Sequence, residues 1–170
     1  TPSGEILSAN ENFLKVLGYQ MAEIRGQHHS MFCESHHVNS PEYRQFWARL
    51  GAGEFVADEF LRIGKGGKKV HIQASYNPIL DMNGKVFKVV KFATDVSVRV
   101  ENVDELASAL QKLADGDLTH YLERPFLPTL EKLRVDFNAA SSKLREAMEA
   151  VTANANAISA ASAEVRSASA

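Results

Sequence analysis

What this chain lacks narrows it quickly. It carries one cysteine, Cys33, in 170 residues, so no internal disulfide can staple it. No stretch of bilayer length is free of strongly polar residues, because even the alanine-rich last third contains Asn154, Asn156, Glu164 and Arg166. A signal peptide is missing as well, and these absences together predict a cytoplasmic protein. Neither sign of charge is in excess: 19 Lys and Arg face 21 Asp and Glu, for a net charge of −2. Without a basic block or aromatic residues interleaved with basic ones, nucleic acid and anionic membrane surfaces are excluded as expected partners. There is no Ser/His/Asp arrangement, phosphate loop or paired-carboxylate site, so no enzyme is expected. An initiator Met is absent and Ala170 falls in mid-heptad, so both ends read as cuts in a longer chain.

Glycine and proline are absent after Pro128, and there the strongest pattern begins. Leu130, Phe137, Leu144, Val151, Ile158 and Val165 recur at seven residues, each followed three positions later by Leu133, Ala140, Ala147, Asn154, Ala161 or Ala168. That is an a/d seam. A helix of about 40 residues is roughly 60 Å long, too long to fold back into a small domain, so it predicts packing against a second copy in a homodimer. A shorter seam, Val103, Leu106, Leu110 and Leu113, precedes Asp115-Gly116-Asp117. Between the two helices lies a non-helical connector with two apolar pegs, Leu118 and Leu122.

The first part of the chain mixes periods. Ile6 to Asn10 reads as a short strand ending at a helix cap, followed by short helices ending at Gly18 and Gly26. The histidine-rich stretch Gln27 to His37 fits no period. Ser40-Pro41 starts a helix carrying Tyr43, Phe46, Trp47 and Leu50, which ends at Gly51 and Gly53. Three strand signals follow, Phe55 to Ile63, Lys69 to Leu80 and Lys85 to Asp95, separated by the turns Gly64-Lys65-Gly66-Gly67 and Asp81-Met82-Asn83-Gly84. The predicted class is α+β, an antiparallel sheet with helices on one face.

The element order, Gly26-Gln27-His28-His29, Leu50-x-x-Gly53-Glu54, Lys65-Gly66-Gly67-Lys68 and the closing Asp95-Val96-Ser97 resemble a PAS sensor domain over residues 1–97, with its first strand truncated. The likeness extends to PAS domains of bacterial chemoreceptors and aerotaxis transducers. Residues 98–148, with Gly116-x-Leu118-x-x-x-Leu122 and Phe137-Asn138, resemble a HAMP relay, whose helices form a parallel four-helix bundle in a dimer. Glu131 stands where many such relays have glycine. Residues 149–170 look like the start of a methyl-accepting chemotaxis receptor stalk, a coiled coil that implies a histidine kinase and coupling protein downstream.

The PAS resemblance places Val70, Ile72, Ala74 and Tyr76 inward around a pocket that in the family holds haem, a flavin, a small metabolite or nothing. With so apolar a wall, haem b is the first expectation and FAD the second, with an empty pocket as the third outcome. Light-sensing flavin relatives carry a reactive cysteine where this chain has His29, so flavin photoadduct chemistry is excluded. His29, with His28 beside it, becomes the candidate ligand to haem iron, and Trp47 a candidate for stacking on a cofactor. Zinc is disfavoured because Cys33, His36 and His37 lack a second cysteine pair. Asp95, Ser97, Gly116, Leu118 and Leu122 are the expected relay residues, making the whole a sensor that passes oxygen, redox state or ligand occupancy to a kinase-controlling stalk. The rival reading is a cofactor-free PAS domain that acts as a dimerising scaffold or as a small-metabolite sensor.

Overall fold

A computed structural model describes residues 1–168, with side-chain surroundings through residue 166. Ala170, where the heptad register stops, and the side chain of Ala168 lie outside the described residues. The chain divides into two compact units, Thr1–Val98 and Arg99 onward.

In the first unit, Asn10 turns an extended segment into helix α1 (Glu11–Leu17) by accepting a hydrogen bond from the Phe13 N–H at 2.9 Å. The predicted strand before it does not form. Ile6 exchanges two backbone bonds with Gln27 and Gly26, and Glu5 makes one isolated bridge to His28. The backbone facing this segment is a tight turn, which is too short to extend a ladder.

Helix α2 (Met21–Ile24) and a 3₁₀ turn (His29–Phe32) follow. The turn explains the aperiodic histidine stretch: the His28 ring accepts from the Ser30 N–H and caps it, and His29 points into the core. After α3 (Ser35–Val38), helix α4 (Pro41–Gly51) starts with a Ser40 cap and Pro41 in its first turn.

Strands β1 (Val56–Ile63), β2 (Lys69–Leu80) and β3 (Val86–Asp95) form an antiparallel sheet in the order β1-β2-β3. The register pairs Phe60 with Ile72, and Tyr76 with both Val56 and Lys91. The period-two alternation of β2 buries Val70, Ile72, Ala74 and Tyr76 against Leu17, Ile24, Phe32 and Leu50. Each large apolar side chain removed from water in this way stabilises the fold by about 1.5–3 kcal/mol.

Helix α5 (Ser97–Ala114) belongs mostly to the second unit, as does α6 (Glu131–Ala168). The connector packs Leu122 and Phe126 against Ala109 and Phe137. Asn138 holds one residue of that connector by both backbone groups: its Oδ1 accepts from the Leu122 N–H and its Nδ2 donates to the Leu122 carbonyl, each at 3.0 Å. The Leu127 N–H donates to Asn102 at 2.9 Å, and the Phe126 N–H donates to Glu131 at 2.7 Å. Glu131 therefore has a local task that a glycine could not perform. Gly116 begins the connector at φ 89°, a conformation that suits glycine. Leu133, Leu144, Val151, Ile158 and Val165 along α6 remain exposed. Among the described residues no helix is long and apolar enough to cross a membrane.

Candidate functional site

The site is built on the inner face of the sheet. Tyr76 on β2 sends its hydroxyl toward the 3₁₀ turn, where His29 Nε2 lies 3.1 Å away. His29 Nδ1 lies 3.1 Å from the Tyr43 hydroxyl on α4. Arg62 on β1 donates to the Tyr76 hydroxyl, also at 3.1 Å. Four side chains from four elements thus form one buried chain, Arg62–Tyr76–His29–Tyr43. A neutral imidazole has one donor and one acceptor nitrogen, and each meets a hydroxyl able to take the complementary role.

Aromatic rings enclose this chain. Centroids of Phe32, Phe46 and Trp47 lie 6.2, 6.2 and 5.5 Å from the His29 ring. Burial, followed by the nearby charges of Arg62 and Lys91, holds the His29 pKa well below its ordinary value. Burial raises the Tyr43 phenol to about 12 and also pushes up Tyr76 and the Cys33 thiol. The imidazole is therefore neutral, and the thiol is not activated for nucleophilic chemistry.

Beside the chain lies a cavity of about 630 Å³, lined by Phe13, Phe32, His29, Trp47, Ile72, Tyr76 and Lys91, with Thr1 and Lys88 at its edge. The Lys91 ammonium is shielded from water and lies 4.7 Å from the Phe13 ring centroid and 5.2 Å from that of Tyr76. Burial, reinforced by Arg62, pushes its pKa down to about 7. Sequence reasoning misses Lys91 and Arg62 because basic residues in a strand are normally solvated. The only signal for Lys91 is its place in the same alternating set as Val89 and Ala93, which the ladder sets on the Tyr76 face.

The sequence-predicted residues separate into groups. His29, Trp47, Ile72 and Tyr76 line the cavity, and Ala74 is buried in the same wall. His28 is exposed, with its ring against Gly4 and its Nδ1 on Ser30. Asp95 and Ser97 form a latch at the end of β3. The Ser97 N–H donates to Asp95 Oδ1 at 2.9 Å, Ser97 Oγ accepts from the His71 N–H at 3.0 Å, and the Val96 N–H donates to the His71 carbonyl at 2.8 Å. Gly116, Leu118 and Leu122 belong to the second unit and do not line the cavity; Leu122 is fully buried, and the Leu118 carbonyl accepts from Ser141 Oγ at 3.4 Å.

Haem does not fit this arrangement. Both nitrogens of His29 are within hydrogen-bond distance of tyrosine hydroxyls and rings close around the imidazole, while His28 lies outside the cavity. The sequence expectation of axial ligation requires an imidazole with a free nitrogen, and the tyrosines that occupy it come from α4 and β2, distant in sequence. The expectation of an almost wholly apolar inner wall changes too, since Arg62 and Lys91 of the neighbouring strands bring buried basic groups to it. Among the described residues no group of three His, Cys, Asp or Glu could hold a metal ion.

Comparison with known proteins agrees with this fold. Residues 1–98 match the family model of the PAS domain. Over 97 residues the chain is 46% identical to the biofilm dispersion protein BdlA of Pseudomonas aeruginosa, covering 57% of this chain and 23% of that protein. Over 57 residues it is 42% identical to the chemoreceptor McpA of Caulobacter vibrioides, covering 34% of this chain and 9% of the receptor. The chain thus spans less than a quarter of the length of either. Among solved structures, an RNA-binding light-oxygen-voltage receptor superposes with a TM-score of 0.53 at 21% identity, over 71% of this chain and 33% of that one. That likeness concerns the fold alone. With the sheet, its helices and residues 1–98 all in agreement, the chain belongs to the PAS-domain family.

Proposed function

We propose that the chain is the sensor and first transducer of a bacterial signalling protein, of the kind that acts in chemotaxis. A small ligand occupies the cavity beside His29, Trp47 and Tyr76, and its arrival is passed to α5. The observation that carries this reading is the latch at His71. That residue sits between Val70 and Ile72 on the inner wall, and its own N–H and carbonyl hold Ser97 and Val96, where α5 begins. Movement of the wall therefore reaches the helix through two hydrogen bonds. Coupling of this kind is typically worth about 1–3 kcal/mol.

Downstream, the exposed apolar seam of α6 is the surface for a second copy, giving a homodimer in which residues 98–148 act as a HAMP-type relay and residues 149–170 begin a stalk. A chemoreceptor among the relatives supports a histidine kinase and coupling protein as partners, in the cytoplasm, with binding and relay in place of catalysis. Flavin is the second reading, favoured by the volume and aromatic walls of the cavity.

Two measurements on the full-length protein test these readings. An absorbance spectrum of the purified protein should lack flavin bands, and their presence would promote the second reading. Asp95→Ala should abolish stimulus-dependent kinase output while leaving the PAS unit folded. Undiminished stimulus-dependent output in that variant would sink the relay.

A further inference from the structure

The core of the PAS unit holds two basic side chains with no acid to balance them. Arg62 is 2% exposed and gives its two terminal nitrogens to the Leu61 carbonyl and the Tyr76 hydroxyl, leaving Nε buried without a partner. Lys91 Nζ is buried without a hydrogen-bond partner of any kind. Neither belongs to an ion pair among the described residues. The Trp47 indole N–H is buried beside the hydroxyl of Tyr43, a residue that does not line the cavity. Unpaired buried charges of this kind are costly, and protein interiors seldom keep them without a counterion.

Lys91 and Trp47 both line the cavity, and Arg62 stands behind it, one hydrogen bond away through Tyr76. The rest of the lining is mixed: Phe13, Phe32, Val16 and Ile72 form an apolar group, and Asn10, Glu5 and Asp95 are polar. The buried Lys91 ammonium, 4.7 Å from the Phe13 ring centroid and next to this apolar group, suits an amphiphilic ligand with a negative end.

We propose that this cavity binds a small organic monocarboxylate with an aromatic or short aliphatic body, its carboxylate meeting Lys91 Nζ. The inference rests on the sensor reading above and specifies its ligand class. The charged and titratable groups around Lys91 come from every neighbouring element: Arg62 on β1, Tyr76 on β2, His29 in the 3₁₀ turn with Cys33 after it, and Tyr43 on α4. Glu5 and Asp95 line the outer part of the cavity, where Asp95 is occupied by the Ser97 N–H. Since Lys91 loses its proton near pH 7 in the free protein and a carboxylate favours the ammonium, binding takes up a proton in neutral and mildly alkaline solution.

Trp47 is the chain's only tryptophan, so its fluorescence reports on the site directly. The test is a titration of the full chain with phenylacetate and with its neutral isostere phenylacetamide. Phenylacetate should bind saturably and at least about tenfold more tightly than the amide. Its affinity should fall as pH rises above about 7, by up to tenfold per unit until the bound-state pKa is reached. Lys91→Met should abolish the preference for the acid, whereas Lys85→Met, on the exposed start of the β3 hairpin, should keep it. Absence of saturable phenylacetate binding, or equal affinities for acid and amide in the unaltered protein, overturns the proposal without relying on any variant. Equal affinities would still leave a ligand-binding sensor, whose failure is read separately from Asp95→Ala.

Discussion

Lys91 and Tyr76 stand opposite one another in the β2–β3 ladder, and the Lys91 ammonium lies 5.2 Å from the centroid of the Tyr76 ring. The phenol of the same tyrosine receives Arg62 and lies within hydrogen-bond distance of His29. One residue therefore meets one cation with its face and another with its oxygen.

The buried ammonium makes stability depend on pH in a defined direction. In the folded chain Lys91 releases its proton near pH 7, and in the unfolded chain near 10.5. Between those values the unfolded state binds more protons, so stability should rise with pH. Lys91→Met should accordingly be more stable than the unaltered protein at pH 6, by an amount on the order of a few kcal/mol. The difference should shrink toward pH 10. Urea unfolding at pH 6, 8 and 10 checks this, and parallel curves for the two proteins would contradict it.

His29 acts at the other end of the pH scale. Its folded pKa lies below the ordinary value of 6.5, so its contribution to stability is complete above 6.5 and is lost as pH falls further. His29→Phe should cost about 1–3 kcal/mol at pH 8, because the Tyr43 and Tyr76 hydroxyls lose a partner. It should also flatten the acid limb of the stability curve. Chemical denaturation from pH 8 down to pH 5 measures both effects.

Gly64 has an ordinary negative φ, and what it needs is space. A Cβ there would sit 2.6 Å from the Leu17 carbonyl oxygen, a backbone atom at the end of α1. Gly64→Ala should cost about 1–3 kcal/mol by forcing α1 and the β1–β2 turn apart. Thermal unfolding, with Gly66→Ala as the partner variant whose Cβ meets open space at φ 71°, separates steric clash from backbone strain.

How much of this is readable in advance varies from residue to residue. The inward set Val70, Ile72, Ala74 and Tyr76 follows from strict alternation, and the caps at Asn10 and Ser40 from side chains that compete well for free N–H groups. Ile6 to Ala9 has the composition of a strand but not the partner, and pairing cannot be read from one segment alone. His29 stands out by its place in a motif, yet its neutral state depends on Tyr43 and Tyr76, residues 14 and 47 positions away. Arg62 and Lys91 give the weakest sign, since only the folded register reveals that their strand positions face inward.

The latch at His71 makes a prediction about local motion. Ser97→Ala removes the acceptor of the His71 N–H, while the Val96 bond to the His71 carbonyl remains. Hydrogen exchange at His71 should accelerate, and that of Tyr76, in the middle of β2, should stay slow. Unchanged protection at His71 would mean that the latch has little part in holding the strand to the helix.

Asn138→Ala should leave the Leu122 N–H buried without its partner and weaken the hold on the Leu122 carbonyl, which Arg134 also meets at 2.8 Å. The expected cost is about 1–3 kcal/mol, read as a lower midpoint in thermal circular dichroism of the helical signal. Asn138→Asp should recover part of the loss by keeping the acceptor.

The same clamp fixes the connector to one position along α6. Neighbouring residues on a helix point about 100° apart, so no small slide or roll of α6 offers Leu122 a second amide like that of Asn138. Phe137 and Ala139 flank it in the chain, and neither side chain has a polar group. The joint resembles an indexing pin with one seat: the Leu122 N–H depends on the Asn138 amide alone, while its carbonyl is held by Arg134 as well.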